Sequence, residues 1–132
     1  MSCVRGFSLI ELLIALVIAS LLASLAYPSY LAHVRKAQRV EVSGLLLENA
    51  QRLERHYALA GRYDQGAVGN LHQQSPAQGR AVYQLAVQRQ SQQFVLTAKA
   101  LVGSAMEGDV CAFYSLNQLG QRTPADERCW RR

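Results

Sequence analysis

The chain has 132 residues, half of them apolar, and 14 Lys and Arg against 9 Asp and Glu give it a net charge of +5. That length suits about one domain, and a basic balance alone is compatible with anionic lipid, nucleic acid or no specific partner. The positive residues are scattered apart from Arg35-Lys36-Arg39 and Arg131-Arg132. They come without zinc-finger spacing or a basic zipper. There is also no phosphate loop, no carboxylate dyad and no nucleophile–base constellation, so catalytic residues and enzymatic activity are not expected.

The first element is an apolar run from Phe7 to Ala26, preceded by a short start carrying Arg5. As a helix rising about 1.5 Å per residue, such a run spans about 30 Å, the thickness of a bilayer core. Ala19-Ser20 and Ala23-Ser24 offer small-residue sites for a conventional signal peptidase, and Glu11 argues against that use. A carboxylate inside a membrane helix costs about 3 kcal/mol and marks a functional partner. Cleavage after Gly6 would supply one. Phe7 would gain an α-amino group with a pKa near ~8, largely cationic at neutral pH, one helical turn from Glu11. Gly6, lacking a Cβ, lets a peptidase approach the backbone closely.

Gly6-Phe7-Ser8-Leu9-Ile10-Glu11-Leu12 resembles the class III leader junction of type IV prepilins and pseudopilins. The resemblance implies a leader of residues 1–6, removed between Gly6 and Phe7 by a prepilin peptidase that also N-methylates Phe7. It implies that Glu11 supports methylation and docking of the incoming subunit. Residues 7–28 then form the transmembrane and filament-core half of a long helix, and 29–132 a periplasmic head that includes the helix's amphipathic half.

Pro28 removes a helical hydrogen bond and clashes with the Ser24 carbonyl, so a kink or local melting is expected there. Many pilins carry a proline in this region. Beyond it, Val42, Leu46, Ala50, Leu53 and Tyr57 recur at helical spacing. Arg35 and Arg39 fall in phase with this stripe and should interrupt it. Glu48 and Arg52 form an i,i+4 pair. One helix is predicted from about Ser8 to Ala58, with Gly61 near its end. His33, His56 and His72 are too dispersed for a metal site, and no cofactor is implied.

A polar stretch from Gly61 to Gly79 follows, in the place of the pilin αβ-loop. Three strand-like segments come next: Val82–Gln88, Gln93–Leu101 and Val110–Leu116. They predict an antiparallel meander on the helix, with Arg89–Gln92 as a turn. With Cys3 lost in the leader, Cys111 and Cys129 remain as an even pair. In an exported domain such a pair reads as a disulfide, the alternative being two buried thiols. Asp109-x-Cys111, Leu116–Gly120 and Cys129-Trp130 resemble the C-terminal region of PilE-type minor pilins. Trp130 is expected to pack over the disulfide or to stand exposed as an adhesive aromatic.

The expected fold is therefore α+β: a pilin fold, with a long N-terminal helix (the lollipop form) on a small antiparallel sheet and a disulfide-closed C-terminal loop. The expected function is that of a minor structural subunit of a type IV pilus, in pilus biogenesis, twitching motility and adhesion. Its expected partners are the prepilin peptidase/N-methyltransferase, other major and minor pilins, the inner-membrane assembly machinery and the lipid bilayer. Two alternatives remain: a type II secretion pseudopilin, which the cysteine pair and the lack of a dense acidic calcium loop disfavour, and a DNA-capturing pilin. For the latter, Arg62, Arg80, Arg89, Lys99 and Arg122 are the candidate patch.

Overall fold

The computed structural model describes residues 6–131. Residues 1–5, with Cys3 and Arg5 of the expected leader 1–6, and Arg132 lie outside the described residues. The chain divides into two units, residues 1–33 and 34–132.

The helix α1 runs over Leu9–Ala60. Near its N-terminus the helix is long and apolar enough to cross a membrane, and none of that stretch is buried. Leu9, Leu16, Leu21 and Leu25 are all more than half exposed. Ser20 and Ser24 turn their hydroxyls back onto the helix: Ser20 Oγ donates to the Leu16 carbonyl at 2.7 Å and Ser24 Oγ to that of Leu21 at 2.7 Å. Their polar groups are thus satisfied without water, as a segment surrounded by lipid requires. Pro28 lies inside the helix, which continues past it. Having no N–H, it gives the Ser24 carbonyl no helical donor.

In the second unit α1 packs on a five-stranded antiparallel sheet. Its strands are β1 (Gln74–Ser75), β2 (Tyr83–Arg89), β3 (Phe94–Ala100), β4 (Phe113–Asn117) and β5 (Arg122–Thr123), paired in chain order. A single turn, α2 (Glu127–Trp130), follows. The helical stripe lands where its spacing predicts: Val42, Leu46 and Leu53 are fully buried, and Ala50 and Tyr57 pack at the edge. Alternate residues of the strands face them, including Tyr83, Leu85, Phe94, Leu96, Tyr114 and Leu116. Burying a side chain of this kind contributes about 1.5–3 kcal/mol. Gly61, at φ +71°, ends α1 with its N–H on the Tyr57 carbonyl at 2.7 Å, the left-handed stop that glycine tolerates best.

The third expected strand is shorter than its apolar content indicated. Val110–Ala112 forms turns, with the Ala112 N–H bonded to the Asp109 carbonyl at 3.0 Å, and pairing begins only at Phe113. The short elements β1, β5 and α2 carry no periodic signal and were not expected from sequence.

Candidate functional sites

At the start of α1, the carboxylate of Glu11 accepts a hydrogen bond from the Ser8 backbone N–H at 2.8 Å, and the Leu12 N–H bonds the Ser8 carbonyl at 3.2 Å. This is the reciprocal half of a capping box, and it sets the acid at the positive end of the helix dipole. Phe7 is 89% exposed. A Cβ built at Gly6 would meet nothing within 4 Å. The fold therefore makes no demand for glycine there, and any requirement must come from a partner.

Arg39, expected to interrupt the apolar stripe, instead faces the head. Its guanidinium grips Asp109 through Nη2 at 2.7 and 3.0 Å and Nε at 3.2 Å. Asp109 also accepts the Cys111 N–H at 2.8 Å. Arg35 Nε donates to the Ala105 carbonyl at 3.1 Å. The in-phase arginines thus tie the 101–112 loop to α1. Burial pushes the Asp109 carboxyl up, but the hydrogen bonds from Arg39 and Cys111 and the Arg39 and Arg35 charges outweigh it. The carboxyl is held below the usual range.

Cys111 and Cys129 form a disulfide, and two tyrosines of the sheet hydrogen-bond the backbone of its two cysteines. Tyr83 OH donates to the Cys111 carbonyl at 2.6 Å and Tyr114 OH to that of Cys129 at 3.0 Å. Trp130 packs edge-on against Tyr114 with centroids 5.0 Å apart, and its Nε1 donates to the Pro124 carbonyl at 2.8 Å. Trp130 is thus a packing residue of this corner.

The five candidate DNA-contacting cations do not converge. Lys99 pairs across the sheet with exposed Gln84 and Phe113, so it lies on the outer face. Arg89 opposes buried Phe94, and Arg122 opposes buried Leu116, which places both on the helix side. Arg89 spends its Nη1 on the carbonyls of Tyr63 and Gly66. Arg122 sits 5.2 Å over the Trp130 ring, and Arg62 pairs with Asp64. Arg80 is exposed ahead of β2.

Sequence reasoning missed Asn49. It is buried on α1, and its side chain donates to the His72 carbonyl at 2.9 Å and accepts the His72 N–H at 2.8 Å. Glu48 faces the His72 ring at 3.1 Å. A polar residue in phase with the apolar stripe was the available signal: Asn49 follows Leu45 and Leu46 and precedes Leu53. No group of three or more metal-ligating side chains occurs among the described residues.

The family model described as type IV minor pilin ComP, DNA uptake sequence receptor, matches residues 28–115, more than half of the chain. The chain belongs to this type IV minor pilin family. The model of the prokaryotic N-terminal methylation motif matches residues 1–27 of the minor pilin. Among solved structures it is similar to a type IV pilin from Shewanella oneidensis, at 28% identity and TM-score 0.55, over 74% of this chain and 98% of that one. The non-core minor pilin PilV of Neisseria meningitidis aligns with a TM-score of 0.52 at 22% identity, over 69% of this minor pilin and 86% of PilV. That likeness speaks for the fold alone. No curated protein matches it.

Proposed function

We propose that this minor pilin is made as a precursor, cut between Gly6 and Phe7, N-methylated at Phe7 by the prepilin peptidase, and assembled into a type IV pilus through α1. Before assembly, residues 7–28 hold it in the inner membrane with the head, 29–132, in the periplasm. Glu11 carries this reading. It is the one charge in an apolar run long enough to span a bilayer, and among the described residues its carboxylate is met by a backbone N–H, that of Ser8. Cleavage supplies an amine one turn away, on the same chain or on a neighbour in a staggered bundle. Other pilins and the inner-membrane assembly machinery are then its partners. Contributions to pilus biogenesis, motility and adhesion follow from that incorporation. The test is the intact mass of the protein taken from membranes, which reports the cut, the methyl group and the disulfide together. A mature chain beginning beyond the apolar run refutes the proposal.

A second reading, favoured by the family model over residues 28–115, is that the head binds DNA for uptake. The net charge of +5 supports it, while the spread of Arg62, Arg80, Arg89, Lys99 and Arg122 over two faces speaks against those five as one patch. Binding of duplex DNA, measured against salt, tests it. Affinity should fall steeply with salt as phosphate-bound counterions are released, and a flat profile removes this reading.

A further inference from the structure

One recess in the head is almost wholly cationic. It has a volume of about 440 Å³ and is lined by Lys36, Arg39, Val40, Arg128 and Arg131. Two links bring these residues together from opposite ends of the sequence. Arg39 on α1 holds Asp109, and Cys111, two residues on, is bonded to Cys129 of α2. Arg128 and Arg131 flank that cysteine, so the salt bridge and the disulfide in series hang both arginines beside Lys36.

The charges of the recess are unequally spent. Arg39 is committed to Asp109 and Arg128 to Asp126 at 2.6 Å. Arg131 reaches Glu127 only at 3.3 Å, between side chains 74% and 83% exposed, a contact that solvent screens almost completely. Lys36 takes part in no ion pair among the described residues. Two cations are therefore available to a ligand, at the mouth of a recess to which Val40 adds an apolar wall.

The chain itself indicates the ligand. Lys36 lies ten residues beyond Ala26, the end of the apolar run, on the same helix. Tyr27 and Tyr30 lie between them, both 66% exposed, and amphipathic rings of this kind settle at the headgroup level of a bilayer. Long basic side chains beyond such a belt extend their stems along apolar surface and place their charge among phosphates. We propose that the recess formed by Lys36, Arg39, Arg128 and Arg131 binds the phosphate headgroup of an anionic phospholipid while the subunit is held in the membrane. The contact is broken when assembly withdraws α1 from the bilayer.

The inference rests on the membrane-held reading above, and one experiment separates the two. The full-length chain is reconstituted into vesicles of phosphatidylcholine alone and of phosphatidylcholine mixed with phosphatidylglycerol. The vesicles are floated, the protein is released into mild detergent, and its retained lipid is identified by native mass spectrometry. The expected result is selective retention of phosphatidylglycerol, falling about fivefold for each charge removed in Lys36→Ala and Arg131→Ala. Lys36→Arg should retain the preference. Both altered residues are exposed; the intact mass reports that the disulfide has formed, and far-UV circular dichroism that the head is folded. A chain that fails to float with either vesicle refutes membrane anchoring. One that floats but retains the two lipids equally, or whose preference survives both alanine variants, overturns this proposal alone. Loss of duplex DNA binding in the variants with lipid retention unchanged assigns the recess to nucleic acid and overturns it too.

Discussion

Arg39 and Asp109, 70 residues apart, form a forked ion pair in which the acid's side chain is 5% exposed and the arginine's 18%. This contact joins the helix to the loop that leads into the disulfide. Arg39→Ala leaves a desolvated carboxylate without its cation and is expected to destabilise the head by about 3 kcal/mol. Arg39→Lys should recover only part of that, since an ammonium cannot reproduce the fork. Replacing both partners with apolar residues should restore more stability than the single change allows. Urea midpoints of the four proteins check this; a midpoint unchanged in Arg39→Ala contradicts the role assigned to the pair.

Acid and alkali should each weaken the head, for separate reasons. Asp109 titrates below its usual range. Asp64 is also lowered, chiefly by the Arg62 hydrogen bond, and Asp126 is brought down to about 2 by bonds from the Arg128 side chain and backbone. The folded state thus binds fewer protons than the unfolded one. The stabilisation is complete above the ordinary carboxylate range near ~4 and is lost as pH falls toward about 2. At the other end, burial and then the Glu54 hydrogen bond push Tyr63 up to about 12, and burial raises Tyr83 and Tyr114 further. Their contribution is complete below the tyrosine range near ~10 and falls as pH climbs toward the folded values. Unfolding free energy followed across pH should show a plateau between these limits; a continuous rise through neutral pH would contradict it.

Cys111 and Cys129 are separated by 18 residues, and freeing a loop of that length is expected to cost about 3 kcal/mol. The loss should be local first. Between the cysteines only Tyr114 and Leu116 are buried apolar residues, so α2 and Trp130 depend on the bond for their position. In Cys129→Ser, amide exchange should speed up over 124–131 before it does in β2 and β3. Uniform exchange across the head would show that the bond acts on the fold as a whole.

At the proposed leader junction, changes at Gly6 and Glu11 should have opposite outcomes. Gly6→Val should leave the precursor uncut, although a Cβ at this position meets no described atom within 4 Å. Glu11→Ala should still be cut but should impair methylation or pilus incorporation. Mass spectrometry of the membrane fraction distinguishes the cases. A Phe7 terminus in Gly6→Val, or fully methylated and assembled Glu11→Ala, removes the role given to that residue.

Much of the head was legible in sequence because its elements are long enough to show a period. The stripe of Val42, Leu46 and Leu53 and the alternation of Tyr83 and Leu85 both describe surfaces that meet in the core. The elements that were not legible are short. β1 and β5 have two residues each, too few to alternate, and they exist as strands only because β2 and β4 offer paired edges. Val110–Ala112 has strand-like composition, yet Asp109 is drawn to Arg39 and takes the Cys111 N–H, and this turns the segment away from pairing.

The primary sequence alone carried the N-terminal methylation motif, the apolar run with its single acid, and the family to be expected, because hydrophobic length and motif spacing are local properties of the chain. Which cations are free was decided by tertiary structure. Arg39, Arg89 and Arg122 look alike in sequence, and each is spent on a partner brought close only by folding: a carboxylate, two loop carbonyls and an indole ring. Among the described residues Lys36 enters no ion pair, and Arg131 enters only an exposed one with Glu127. An ion pair depends on distance in space, and composition carries no information about that distance until the helix, the sheet and the disulfide have closed.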